Sequence, residues 1–363
     1  MLTKAAIIGS CLAFSTGALA DARTECANWK NAAPDRLIMA CSTVIRTEPQ
    51  AVWAYVNRGY AYHDSSDLNH AIADFDMAIV LNPKYAEAFT GRGVTYQAKG
   101  DYDRAITDFD KAIALNPNDV LAYSSRGVSY GHKDDFVRAI ADFDRAIGLD
   151  PKDVIDHYNR GKAYLAKGDL DRATADYDQA VTLDPNYALA YSGRGHAFAA
   201  GGDLNGAIAA GVKATELDPK NGRFRENLGI WRYEAGDYTK ASADLARSIE
   251  LGGDVYATLF RFLARARSGQ DTAAELQANA SRFRTTEWPY AVVELYLGKR
   301  TTAATLGNAT NPDQKCEAQY YIGQWLVLKS DKISAKAAFH SAAETCPKNF
   351  DEYAGALAEL KRI

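Results

Sequence analysis

The sequence predicts an all-α fold, a solenoid of stacked antiparallel helix pairs. Two observations carry this. First, Pro49, Pro83, Pro117, Pro151, Pro185 and Pro219 are spaced by 34 residues each time. A period of that length is the mark of a repeat architecture. Second, residue types keep their places within the period. Numbering each repeat from residue 52 onward, position 8 is Gly59, Gly93, Gly127, Gly161, Gly195 and Gly229. Position 20 is alanine from Ala71 to Ala241, and position 24 is Phe75, Phe109, Phe143 and Tyr177. Positions 4, 8 and 11 share one face of a first helix, and positions 20, 24 and 27 one face of a second. Small residues let the two backbones approach, and rings fill the gaps beside them. A Gly-Asp pair such as Gly100-Asp101 turns the chain between them, and the proline at position 32 ends the second helix. One such hairpin cannot bury its own faces, so neighbours must stack.

Along the chain the elements follow in order. Residues 1–20 read as a signal peptide: Lys4, an apolar run, then Ala18-Leu19-Ala20 as a small-x-small cleavage site. A faint lipobox at Ile8-Gly9-Ser10-Cys11 would leave an apolar mature start, so lipidation is the weaker reading. Residues 21–51 form a degenerate capping repeat interrupted by Pro34. Six repeats fill 52–252. Residues 253–315 hold a degenerate repeat and helices out of register, including the string WPYAVVELYLG. Register returns in 316–363 with Gly323, Ala335, Phe339, Ala342 and Pro347, and a final helix caps the stack.

At these positions the chain resembles the tetratricopeptide repeat family, most closely over 52–221. The resemblance implies a right-handed superhelix that binds protein or peptide ligands. In that family the first helices line a concave groove through positions 2, 5, 9 and 12. The groove residues implied here are Trp53, Val56, Tyr60, Val94, Leu121, Val128, Ile155, Tyr158, Leu165, Leu189, His196, Ile230 and Tyr233. The stripe is apolar and not cationic, which favours a peptide with apolar anchors over a terminal carboxylate. Residues 288–360 further resemble the C-terminal part of NlpI-type envelope repeat adaptors. That implies envelope proteases or peptidoglycan hydrolases as clients, with an assembly chaperone for an outer-membrane or secretion complex as the alternative. The reading leaves a homodimer open.

Composition narrows the function classes. The chain has 42 basic and 46 acidic residues, a net charge of −4, and no basic stripe for nucleic acid. No segment after the leader is apolar enough to span a membrane. It has no HExxH motif and no P-loop, and its six histidines are scattered. The acids recur from repeat to repeat, which marks architecture and not an active site. No enzyme, cofactor or metal is expected, and the location is periplasmic or secreted.

Two further expectations concern side-chain pairs. Once Cys11 leaves with the signal, four cysteines remain, none in a CxxC pair. Repeat positions pair Cys26 with Cys41 and Cys316 with Cys346, stapling the two terminal repeats. Position 7 is arginine in five repeats, and the second helices carry aspartates at positions 23 and 25. The fifth repeat has Ala210 and Val212 there, and the sixth has Leu228 at position 7. Charge and partner vanish together if each arginine pairs with the preceding repeat. This predicts a ladder of Arg92–Asp74, Arg126–Asp108, Arg160–Asp142 and Arg194–Asp176.

Overall fold

The computed structural model describes residues 16–28, 33–348 and 350–363. Most of the predicted signal peptide, residues 1–15, lies outside them. All regular structure among the described residues is helical. The chain forms two compact regions, up to Pro151 and Lys152–Ile363.

The first region runs α1 (Thr16–Ala27), α2 (Pro34–Thr47), α3 (Val52–Asp64), α4 (Leu68–Leu81), α5 (Ala86–Ala98), α6 (Tyr102–Leu115), α7 (Val120–His132) and α8 (Phe136–Leu149). The second runs α9 (Val154–Ala166), α10 (Leu170–Leu183), α11 (Ala188–Ala200), α12 (Leu204–Leu217), α13 (Gly222–Glu234) and α14 (Tyr238–Glu250). It continues with α15 (Val255–Arg267), α16 (Ala273–Ala280), α17 (Tyr290–Tyr296), α18 (Thr302–Asn308), α19 (Pro312–Leu328), α20 (Lys332–Thr345) and α21 (Asp351–Arg362).

Each repeat is a helical hairpin closed by the same device. The aspartate after the turn accepts a hydrogen bond from the backbone N–H three residues on: Asp67, Asp101, Asp135, Asp169, Asp203 and Asp237 all do this. Each cap stabilises its helix by about 1 kcal/mol. The residue before it is left-handed, as at Gly100 and Gly168, a conformation glycine takes without steric cost.

The position-24 ring sets the spacing between helices. The Phe75 ring lies where a Cβ on Gly59 would come within 2.9 Å, and one on Gly91 of the next repeat within 2.4 Å. Phe109 and Phe143 abut Gly93 and Gly127 in the same way, and Tyr177 abuts Gly161 and Gly193. The invariant-looking glycines are therefore seats for rings.

The fifth repeat inverts this arrangement. Its position 24 is Gly211, and Trp231 of α13 fills the space. A Cβ on Gly195 would meet Trp231 at 2.4 Å, and one on Gly211 would meet it at 2.9 Å.

Both cysteine pairs are bonded, with Cα separations of 4.8 Å for Cys26–Cys41 and 5.0 Å for Cys316–Cys346. These lie inside the usual range. The first ties α1 to α2, and the second ties α19 to the end of α20.

The out-of-register string is core. Tyr290, Val292, Val293, Leu295 and Tyr296 are buried. The Trp288 indole N–H donates to Glu317 and the Tyr296 hydroxyl to the Tyr321 carbonyl.

Candidate functional site

The inner faces of the first helices form the candidate surface, and the two regions differ in how much of it they leave open. In the first region α3, α5 and α7 pack side by side. Thr90 donates to Asp119 at 2.7 Å, and Gln97 donates to the Ser125 carbonyl. Position 2 points outward, and Leu121 is 50% exposed. Trp53, Tyr60, Val94 and Val128 are half-buried and line the same helices. Burial raises the Tyr60 hydroxyl pKa, and Glu87 and Asp119 add to it. A shallow cleft of about 630 Å³ opens between Pro49, Trp53, Asn82 and Tyr85.

Val56 is a correction. It is fully buried in a cluster with Phe75 and Ala78 of the second helix α4 and Ala88 of α5.

In the second region Ile155 and Leu189 are 55% and 43% exposed. Tyr158 and Leu165 are half-buried. The Tyr158 hydroxyl is pushed up to about 12 by burial, with Tyr187 adding to it.

Further along, the inner face closes. Ile230 and Tyr233 are core and not surface. The Tyr233 hydroxyl donates to Gln324 of α19 at 2.7 Å, and Phe260 packs edge-on against its ring. His196 is half-buried, takes a 2.8 Å bond from Asn227, and faces Asp351 of α21 at 3.8 Å. The C-terminal helices thus occupy the inner face of α11 and α13. These contacts join residues up to about 155 apart in sequence, and nothing local announces them.

The arginine ladder is also corrected. Four of the five position-7 guanidiniums grip the position-23 aspartate of their own repeat through two bonds each. Arg58 holds Asp74 at 2.7 and 2.7 Å, and Arg92 holds Asp108 at 2.8 and 2.7 Å. Arg126 holds Asp142, and Arg160 holds Asp176, in the same geometry. The bond to Asp108 holds the Arg92 guanidinium above its ordinary range.

The link between repeats exists, but it uses position 25. Arg92 reaches Asp76 at 2.6 Å, Arg126 reaches Asp110 at 2.5 Å and Arg194 reaches Asp178 at 2.8 Å. Helical geometry explains the swap. Position 23 faces into the hairpin and is buried, while position 25 faces outward. Where Ala210 replaces the inner aspartate, the buried Nε of Arg194 has no partner. Asp244, lacking an arginine at Leu228, is taken by Arg225 and Arg232.

One spacing of catalytic type occurs and is structural. Residues Gly127-Val128-Ser129-Tyr130-Gly131 match G-x-S-x-G. A nucleophile of that motif sits on a sharp strand-to-helix turn. Ser129 is instead inside α7, fully buried, donating to the Ser125 carbonyl at 3.0 Å. Among the described residues no group of three or more His, Cys, Asp or Glu is placed to hold a metal. Nor is any helix there long and apolar enough to cross a membrane.

Comparison with known proteins agrees with this architecture. The tetratricopeptide repeat family model matches residues 86–119, and a second TPR repeat model matches 59–100 and 161–200. A tetratricopeptide repeat protein from Parabacteroides merdae shares the fold at 16% identity and TM-score 0.53, over 69% of this chain and 99% of that one. PilW, a widely conserved type IV pilus biogenesis factor, aligns at 20% identity and TM-score 0.52, over 55% of this chain and 92% of that one. PilF of Pseudomonas aeruginosa aligns at 17% identity and TM-score 0.51, over 58% and 97%. At these identities the likeness is one of fold. The chain is a repeat scaffold of the protein–protein interaction class. The repeats that the models match, within 59–119 and 161–200, are tetratricopeptide repeats.

Proposed function

We propose that the chain is a non-catalytic adaptor, and that the inner face of α3, α5 and α7 binds a peptide through apolar anchors. The observation that carries this is the exposure of Leu121 beside half-buried Trp53, Tyr60, Val94 and Val128. The α13 counterpart of Tyr60, Val94 and Val128, Ile230, is sealed in the core. A peptide lying across these helices would bury apolar side chains in alternate pockets, the usual source of affinity in such grooves.

The working place is an oxidising compartment outside the cytosol. The bonded cysteine pairs support it, because such bonds persist there and are rare in the cytosol. The leader-like N-terminus supports export. Envelope proteases and wall hydrolases are the proposed clients, on the resemblance of 288–360 described above.

The test is crosslinking capture from a periplasmic extract with wild type, Trp53→Ala/Leu121→Ala, and Val137→Ala. Val137 is exposed on a second helix and serves as control. The adaptor reading expects the captured proteins to be lost with the double variant and kept with the control. Capture unchanged by the double variant would place the interface elsewhere. Capture dominated by pore or pilus subunits would favour the assembly-chaperone role.

A further inference from the structure

The C-terminal helix is seated on acids. α21 packs against α20 and α19, and across α11 and α13. Its inward residues are Glu352, Gly355, Ala356 and Glu359, all buried. Beneath them α13 contributes Glu234, whose carboxyl is buried with both oxygens lacking a partner. Gly355 lies directly over it: a Cβ there would meet the Glu234 Oε1 and the Tyr320 hydroxyl at 2.8 Å each. The Tyr320 hydroxyl also has no partner. Glu352 accepts from the Tyr321 hydroxyl at 2.9 Å. At the N-terminal end of α21, Asp351 stands near Glu226, which also neighbours Asp254.

We propose that α21 is a pH-dependent cover on the inner face of α11 and α13, docked in mild acid and loosened as the carboxyl groups of its seat ionise.

Three carboxyls carry the effect. Glu226 and Glu352 are each pushed up to about 8, first by burial. Asp254 and Asp351 add to the first, Glu317 and Asp351 to the second. Glu234 is held well above the carboxylate range by burial, then by Asp351, Glu352 and Glu359. The cations nearby do not cancel this. Arg267 and Arg362 are both bonded to Glu359, and Arg223 only partly offsets the acids around Glu226. His196 of α11 faces Asp351 at 3.8 Å. The charged residues of α20, Lys332, Lys336, His340 and Glu344, are exposed and bond to none of these groups.

The sign follows from proton binding. On release, exposed glutamates return to about 4.3. Between that value and about 8 the docked state holds more protons than the released one. Docking is therefore strongest below that window and weakens as pH rises through it, by up to tenfold per pH unit for each carboxyl. The seam is suited to opening. A cavity of about 470 Å³ runs along it, lined by Gly201, Leu204, Tyr353 and Leu357.

Hydrogen exchange of the full chain, corrected for intrinsic rates, tests this independently of any ligand. Protection of residues 351–362 is expected to fall at least ~10-fold between pH 5.5 and pH 8, while α5 changes less than ~3-fold. The triple variant Glu226→Gln/Glu234→Gln/Glu352→Gln should remove the slope while staying docked at both pH values. Glu359→Gln should lower protection at both without changing the slope. Should the triple variant not fold, each single variant is expected to flatten the slope. No slope in wild type, or an unchanged slope in the variants, overturns the proposal.

Discussion

Repeats one to four and the fifth repeat build the same hairpin with the large side chain on opposite partners. In the first group a phenylalanine or tyrosine on the second helix sits against glycines of the first helices. In the fifth repeat the second helix carries Gly211, and the following first helix supplies Trp231 between Gly195 and Gly211, while the sixth repeat returns to the earlier order with Leu245 against Gly229. The electrostatics change with the packing. The first group has an arginine clamped on a buried aspartate of its own repeat. The fifth repeat keeps the arginine and loses the buried acid; the sixth keeps the acid and recruits arginines from other positions. What is preserved is therefore volume and charge neutrality at the seam, and not which helix provides either.

The sharpest way to break the comparison is to empty the exchanged site. Trp231→Ala leaves a cavity between two glycines with no side chain to collapse into it, and should cost about 4 kcal/mol. Adding Gly211→Phe rebuilds the arrangement of the earlier repeats and should recover more than half. Denaturant unfolding of the full chain, with exchange protection read in α11 and α13, measures both. An unrescued double variant would mean that the two packings are not equivalent.

Next comes the C-terminal staple. Removing it with Cys316→Ala/Cys346→Ala opens a loop of sequence separation 30 and should cost about 3 kcal/mol. The loss should appear as early exchange in α19–α21, with α3–α8 unchanged.

Third is the clamp itself. Asp142→Ala strands the Arg126 guanidinium, which retains only exposed Asp110, and should cost about 2 kcal/mol. Asp110→Ala should cost no more than about 1 kcal/mol. Equal losses would show that the buried aspartate has no special role.

The smallest effect expected is at Arg194. Arg194→Leu copies Leu228 and removes a buried Nε with no partner. It should be neutral within about 0.5 kcal/mol, whereas Arg126→Leu should be clearly destabilising.

The repeat frame was open to reading because it is local. Glycine at position 8, alanine at 20 and proline at 32 each do their work within one hairpin, so every copy restates the rule. The cysteine pairs were readable for the same reason: once the frame is known, positions 9 and 24, or 1 and 31, face each other. The arginine ladder was misread in its partners. Sequence correlation showed that charge and acid vary together, but two aspartates flank each ring. Only the rotation of the second helix decides that position 23 turns inward to its own arginine and position 25 outward to the next.

The closure of the inner face lay wholly beyond sequence reading. Tyr233 and Ile230 hold the same register positions as exposed or half-buried groove residues elsewhere. What makes them core is the return of α19 and α21 onto α13. The sequence by itself determined the hairpins, their caps and their ring seats, because those depend on contacts within about 34 residues of one another. Only the tertiary structure decided which part of the inner face stays open and which is covered. That choice rests on packing between segments roughly a hundred or more residues apart, where no periodicity records the partner.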